Sequence, residues 1–259
     1  MRMMKKVLGT VTVLALSVSL LAGCGSTAAS PVSSVASTAA ESTTSSVVSE
    51  TTSAAADENA AAAAQLLNDL TGSYQELWPV ILADEYQQTW LDDCTALVGE
   101  ENAEAAFEKL SSMVTGDVYG EDAVEAYANG GGAYFCGFTN DLATLTFDGE
   151  TSTISGTDKD GNVLFSHTYH YIGMEPVHGL YEFESDDADS GEFTYFFLAP
   201  DTSAETYHIE FRYGSDAEAL SQYDAGEYAY WVASGISTDC DQTMIDNCIE
   251  LFCTENLAG

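Results

Sequence analysis

The run Thr206-Tyr207-His208-Ile209-Glu210-Phe211-Arg212-Tyr213 alternates polar and apolar residues, so on a strand His208, Glu210 and Arg212 share one face. An imidazole and a carboxylate two residues apart can bind one metal ion, and Zn²⁺ takes both ligand types at about 2.0–2.2 Å. A third ligand is still required. The same face offers a plainer arrangement, a Glu210–Arg212 ion pair beside a hydrogen-bonded His208. The chain has four histidines. His178 opens a strand and is the candidate third ligand, if that strand end reaches a barrel mouth. His167 and His170 stand three apart in a strand, point to opposite faces and are not expected to share an ion. The segment Asp186-Asp187-Ala188-Asp189-Ser190-Gly191-Glu192 echoes a calcium loop but lacks its third aspartate and the spacing to a bidentate glutamate. It reads as a hairpin turn. No GxSxG elbow, P-loop or HExxH occurs, so the expected role is binding and not catalysis.

These residues need strands to position them. From Gly132 onward, Ala133–Thr139, Leu142–Phe147, Thr151–Ser155, Asn162–Ile172, Leu180–Ser185, Phe193–Ala199 and Thr206–Tyr213 are rich in aromatic and β-branched residues. Asp148-Gly149 and Asp160-Gly161 predict tight hairpins between them. Closely spaced antiparallel strands of this kind predict a meander closing into a barrel, making the fold mainly β. Helices precede it. Ala60 to Leu70 is strongly helix-forming and stops at Gly72; Tyr86 to Val98 ends at Gly99. Ala103, Ala106, Phe107, Leu110, Met113 and Val114 form a stripe at helical spacing. Ser73-Tyr74-Gln75-Glu76 has the pattern of a capping box, with Pro79 forbidding a long regular helix from that start. A C-terminal helix follows the strands, with Met244, Ile245, Cys248, Ile249 and Phe252 on one face and a cap around Ser237 to Asp239.

The amino terminus carries an address. Arg2, Lys5 and Lys6 precede an apolar run from Val7 to Leu21, shorter than the roughly 20 residues of a spanning helix. The run ends in Leu21-Ala22-Gly23-Cys24, which resembles the bacterial lipobox. Residues 1–23 are therefore expected to be a lipoprotein signal peptide, with a diacylglyceryl group on Cys24. Two acyl chains make a stable tether at about 0.8 kcal/mol per buried CH₂, so the membrane is met only through this anchor and the protein is extracytoplasmic. Residues 24–56, Ser, Thr and Ala with no aromatic or basic residue, read as a disordered stalk. Residues 57–259 then form one domain. Only Lys109, Lys159 and Arg212 remain in the mature chain against 42 acidic residues. Nucleic acid, whose binding needs phosphate neutralisation by Lys and Arg, is excluded as a partner.

After Cys24 come Cys94, Cys136, Cys240, Cys248 and Cys253, an odd number, so at least one stays unpaired within the chain. With Cys240 in the terminal helix, Cys240 and Cys248 lie about 12 Å apart along the axis, beyond disulfide reach. Cys248 and Cys253 fail similarly. Any intrachain disulfide must then involve Cys94 or Cys136, unless the helix starts later.

From about Leu70 to the C-terminus the chain resembles the ZinT (YodA) family of exported zinc-binding proteins. The likeness rests on Gly72-Ser73-Tyr74-Gln75-Glu76-Leu77-Trp78-Pro79, the Leu198-Ala199-Pro200 turn, His208 to Asp216 and the aromatic segment up to Trp231. It implies a calycin-like (lipocalin-like) β-barrel with helical additions, a divalent metal bound near the barrel mouth, zinc first, and a metal ABC importer as partner. The family's ligand positions fall on Phe196, His208 and Glu210. Phe196 has no ligating atom, and the family's His-rich loop is absent. Two other readings stay open. One is a metal-free barrel taking a small organic or peptide ligand, with Phe196 and Arg212 in the pocket wall beside Tyr195, Tyr207 and Tyr213. The other is an adhesion or host-interaction module.

Overall fold

Strict alternation of side chains along each strand leaves one face of the sheet apolar, and that face is buried here by closing the sheet on itself. The structure is a computed structural model that describes residues 58–199 and 208–257. The segments expected to be a signal peptide and a stalk, with Cys24, and residues 200–207, including Tyr207, lie outside the described residues. Eight antiparallel strands run in sequence order: β1 (Gly72–Glu76), β2 (Thr144–Asp148), β3 (Thr153–Thr157), β4 (Val163–Met174), β5 (Tyr181–Ser185), β6 (Tyr195–Leu198), β7 (His208–Gly214) and β8 (Ala233–Ser237). β8 returns to β1, with Tyr74 opposite Ser237 and Glu76 opposite Gly235, so the barrel is closed and calycin-like.

Its interior is aromatic. Phe196 faces Tyr169 at 5.4 Å between ring centroids and Tyr213 also at 5.4 Å. Phe165, Phe211 and Trp231 extend the same packing, Trp231 edge-on to Tyr213 at 5.0 Å. On β7 the inward residues are Ile209, Phe211 and Tyr213, each at most 1 % exposed. The size of these side chains explains how eight strands enclose a packed core.

One strand lies where other structure is expected from the sequence, and another falls mostly on residues to which the sequence assigns no element. Ser73 to Glu76 is not a helix cap: it is most of β1. The Ser73 hydroxyl meets the Thr146 hydroxyl across the sheet at 2.8 Å, and the Glu76 carboxylate accepts the Phe138 N–H at 2.6 Å. Only a short helix, α2 (Leu77–Ile81), follows before its geometry breaks down. β8, Ala-Ser-Gly-Ile-Ser, has little strand-forming character, but it is the strand that closes the barrel. A Cβ on Gly235 would stand 3.1 Å from Ile209, so β7 and β8 pack closely at that point.

Ala133–Thr139, conversely, is not a strand of the barrel. Phe135 makes isolated bridges to Thr115 and Trp231, and the rest plugs one barrel opening. Trp231 Nε1 donates to the Gly137 carbonyl at 2.9 Å, and the Tyr213 hydroxyl accepts from the Thr139 N–H at 2.6 Å. Phe138 packs edge-on to Phe211 at 5.3 Å. These bonds satisfy interior polar groups that an apolar core would leave stranded.

Helices form a second layer. Residues 58–69 form α1, whose Ala63, Leu66 and Leu67 join the barrel core. α2, α3 (Gln87–Val98), α4 (Ala103–Val114) and α7 (Gln242–Leu257) surround a separate core built on Trp90, Leu110, Ile249, Cys94 and Cys253. The Trp90 indole N–H donates to the Ile81 carbonyl at 2.7 Å. α5 (Glu121–Ala128) and the single turn α6 (Ala217–Leu220) complete the helices. The cap of α7 is Asp241, whose Oδ1 accepts the Met244 N–H at 3.0 Å, and not Ser237 to Asp239. Cys240 therefore precedes α7. Among the described residues no helix is long and apolar enough to cross a membrane.

Both predicted hairpins form, by different means. At Asp160-Gly161 the glycine has φ +82°, and Asp158 Oδ1 accepts the Asp160 and Asn162 N–H groups at 2.9 and 2.8 Å. At Asp148-Gly149 the loop is wider, and Ser152 takes the positive φ. Gly149 serves instead to admit α1: an added Cβ would stand 2.4 Å from Asn68 Cα, and its N–H donates to Thr71 Oγ1 at 3.0 Å. Gly149→Ala is expected to lower stability by about 1–3 kcal/mol through this backbone clash. Urea unfolding measures it; an unchanged midpoint would show that α1 does not pack tightly on the β2–β3 turn.

Candidate functional site

The register of β7 decides what its polar residues can do. His208 pairs with Ile236 and Glu210 with Ser234 on β8, while Arg212 pairs with Phe197 on β6. Ile236 belongs to the helical core, so this row faces outward, toward the helices. Phe196 pairs with Tyr213 and lies inside. The positions Phe196, His208 and Glu210 thus do not share a face, and Phe196 and Arg212 do not line one wall. Phe196 and Tyr213 are both fully buried and form core, not an open mouth.

His208 and Glu210 do stand side by side on the outer face of β7, where barrel and helices meet. Two thiols complete their surroundings. Cys136 lies in the plug segment, and Cys248 lies on α7; both belong to the helical core. Burial pushes each thiol up to about 12, and the Glu210 carboxylate adds to both shifts. That makes Glu210 a common neighbour of the two, a relation invisible in the linear sequence. Among the described residues, however, no group of three or more His, Cys, Asp or Glu has the placement to hold a metal ion. His178, His208 and Glu210 do not converge as such a group, and the residues present do not fit a closed three-ligand zinc site.

His178 lies in the turn between β4 and β5, within a different polar cluster. Its ring sits 3.8 Å from that of Tyr223, and its Nδ1 is 3.7 Å from Glu175 Oε2. Glu175 is fully buried, and its two oxygens accept the N–H groups of Val177 and His178 at 2.8 and 2.6 Å. Tyr223 in turn lies under the Arg212 guanidinium, 4.3 Å from Cζ to the ring centroid. Arg212 is itself fully buried and donates to the carbonyls of Leu220, Gln222 and Tyr228. The arginine therefore pins the loop after α6 to the barrel wall. It is bound chiefly by backbone dipoles and an aromatic face, an arrangement suited to a weakly hydrated, planar cation.

The two remaining histidines behave as their spacing predicts. His167 Nδ1 meets Asp187 Oδ2 at 2.8 Å, and His170 Nδ1 meets Asp186 Oδ1 at 2.8 Å. Glu184 approaches the other nitrogen of His170, at 3.9 Å. Its two carboxylates thus flank opposite sides of the ring and cannot converge on one ion. Asp186 to Glu192 forms the β5–β6 connection, with Ser190 Oγ donating to the Asp187 carbonyl at 2.9 Å. The calcium-loop echo is a turn.

A solvent-open cleft of about 450 Å³ lies elsewhere, lined by Tyr119, Gly120, Glu121, Asp122 and Glu227. Tyr119 stacks on Phe135 with centroids 5.6 Å apart. Nothing in the spacing of these residues signals the cleft, because it joins the start of α5 to the loop before β8.

The His178 environment has a pH consequence. Burial lowers its pKa below the ordinary value, with Glu175 opposing that shift and Arg212 adding to it. A folded-state pKa below the unfolded one means that the unfolded chain takes the proton first, so this contribution is lost as pH falls through about 6.5. Glu182 and Asp93, raised mainly by burial, act in the opposite sense. Relative to His178→Gln, the wild-type chain is expected to lose stability between pH 7.5 and 5, as followed by urea unfolding. A constant difference across that range would contradict the assignment.

No family model matches the chain, and no curated protein matches it in sequence. Among solved structures, it is similar to the Zn(II)-bound ZinT-like domain of Streptococcus pneumoniae AdcA, at 17 % identity over 71 % of this chain and 89 % of that one, with a TM-score of 0.45. It is also similar to Zn(II)-bound AdcA from Streptococcus pneumoniae, at 17 % identity over 70 % of this chain, with a TM-score of 0.42; there it spans 34 % of the longer chain.

Proposed function

We propose that this chain is an extracytoplasmic binding protein, tethered through a lipid on Cys24, that takes a divalent metal ion at the outer face of β7. Zinc is the first candidate. The observation that carries the reading is the side-by-side placement of His208 and Glu210 at the junction of barrel and helices. An imidazole and a carboxylate both suit zinc, and the imidazole favours it over calcium or magnesium. With two ligands from one strand, binding is moderate and reversible, as uptake or buffering requires, and delivery to a metal ABC importer follows from that role. No catalytic step is assigned. Titration calorimetry of the full chain with Zn²⁺ is expected to show one site, weakened about tenfold or more by His208→Ala. No heat of binding, or affinity unchanged in that variant, would overturn the metal reading.

A second reading has its own observation, the cleft beside Tyr119. An aromatic face beside Glu121, Asp122 and Glu227 suits a small organic cation. Tetramethylammonium titrated into the chain is expected to quench the Tyr119 contribution to fluorescence in a saturable way. Equal response in Tyr119→Leu would exclude this cleft.

A further inference from the structure

The seam between α3 and α7 holds two thiols in contact. Cys94 of α3 and Cys253 of α7 are both fully buried, with their sulfur atoms 3.9 Å apart. From the geometry of this pair we infer that Cys94 and Cys253 form a disulfide in the mature protein. The inference stands apart from the metal reading, since neither residue belongs to the β7 row.

A disulfide needs its sulfurs at about 2.05 Å. Closing from 3.9 Å asks less than 2 Å of movement, shared between two side chains on facing helices. Of the five cysteines after Cys24, this is the one pair among the described residues whose sulfurs touch. Their separation in sequence, 159 positions, makes the cross-link span most of the domain.

The seam has an electrostatic reason for a covalent tie. Asp93 on α3 lies near Asp246 and Glu250 on α7, and these two, with the adjacent Asp92, push the Asp93 carboxyl up after the larger effect of burial. No basic residue lies on either helix. Packing of Trp90 against Phe252, with centroids 6.0 Å apart, holds the helices together against this repulsion. A covalent bond would oppose it permanently.

The chemistry also fixes when the bond forms. Burial raises both thiols above the ordinary range; Asp93 adds to both shifts and Cys94 adds to that of Cys253, while the contact with Cys253 opposes the rise at Cys94. Thiolate is the reactive form, so the folded, reduced pair is inert. Oxidation must precede burial. One thiolate attacks a small disulfide such as oxidised glutathione, releasing one glutathione thiolate and leaving a mixed disulfide. The second protein thiolate then attacks the protein sulfur of that bond and expels the second glutathione. In sum, two protein thiols lose two protons and two electrons, and one small disulfide becomes two thiols. An oxidising exterior supplies such a partner.

The full chain refolded from denaturant in oxidised glutathione, alkylated and digested with a Glu-specific protease, is expected to yield a Cys94 fragment linked to a Cys253 fragment. Its melting temperature is expected to exceed that of the same protein refolded in reductant by roughly 5–10 °C. Oxidant added after folding is expected to form the link far more slowly. A Cys136→Ala/Cys240→Ala/Cys248→Ala chain is expected to form the same link and show the same shift. Cys94 and Cys253 both alkylated after oxidative refolding, or either one linked to a different cysteine, would overturn the inference. The comparison of oxidised with reduced wild-type chain depends on no variant folding.

Discussion

The return of β8 to β1 is the constraint on which the other features depend. Once the sheet closes, every strand has a sealed side and an open side, and a residue's chemistry is decided by its parity. On β7 this parity gives Ile209, Phe211 and Tyr213 to the interior and His208, Glu210 and Arg212 to the outside. The interior is then committed to rings from six strands and the loop before β8. An ionic site there would require removing aromatic packing and burying charge in the same step, and each change is costly. Polar chemistry is displaced to the outer wall by this commitment.

The outer wall is not uniform. Beyond β6 and β7 it is covered by the loop after α6, and the cover is held by Arg212. In a chain with 42 acidic residues and six basic ones, a buried arginine would be expected beside a carboxylate. It instead spends its N–H groups on three carbonyls and its face on Tyr223. Burial lowers its pKa, while Tyr223 and the more distant Glu175 oppose that effect. The surrounding negative field helps hold the cation charged without a direct partner. Phe197 lies beside it on the same wall, so the arginine's stem covers apolar surface while its head fixes the loop.

Much of the barrel was legible because its strands alternate strongly. β2 to β7 carry aromatic and β-branched residues at period two, and both hairpin turns bear their glycines. β1 and β8 were hidden for opposite reasons. Ser73 and Glu76 have the spacing of a helix cap, yet their side chains are used across the sheet and across the barrel opening. Apart from Ile236, β8 is built from Ala, Ser and Gly, and Gly235 leaves room where Ile209 crowds the seam. Phe135 to Thr139 has strand composition, but its carbonyls and N–H groups are claimed by Trp231, Tyr213 and Glu76. For the candidate site, the His208–Glu210 pairing followed from spacing alone. The neighbours on its other side, Cys136 and Cys248, come from a plug and a distant helix, and no local pattern could announce them.

The location of that pair ties the two layers together. Ile236 opposite His208 is part of the helical core, while Ile209 between the two polar residues is part of the barrel core. The β7–β8 wall is therefore the partition between two apolar interiors, and His208 and Glu210 are polar groups set into it. Any ion reaching them must pass the edge of the helical layer, because the barrel side is filled. Access then depends on how firmly α7 is held against α3 and the barrel. Repulsion among Asp92, Asp93, Asp246 and Glu250 loosens that seam, and the contacts of Trp90, Phe252, Cys94 and Cys253 tighten it. On the metal reading proposed above, the balance at this helix seam bears on the β7 row through α7, whose Cys248 neighbours Glu210.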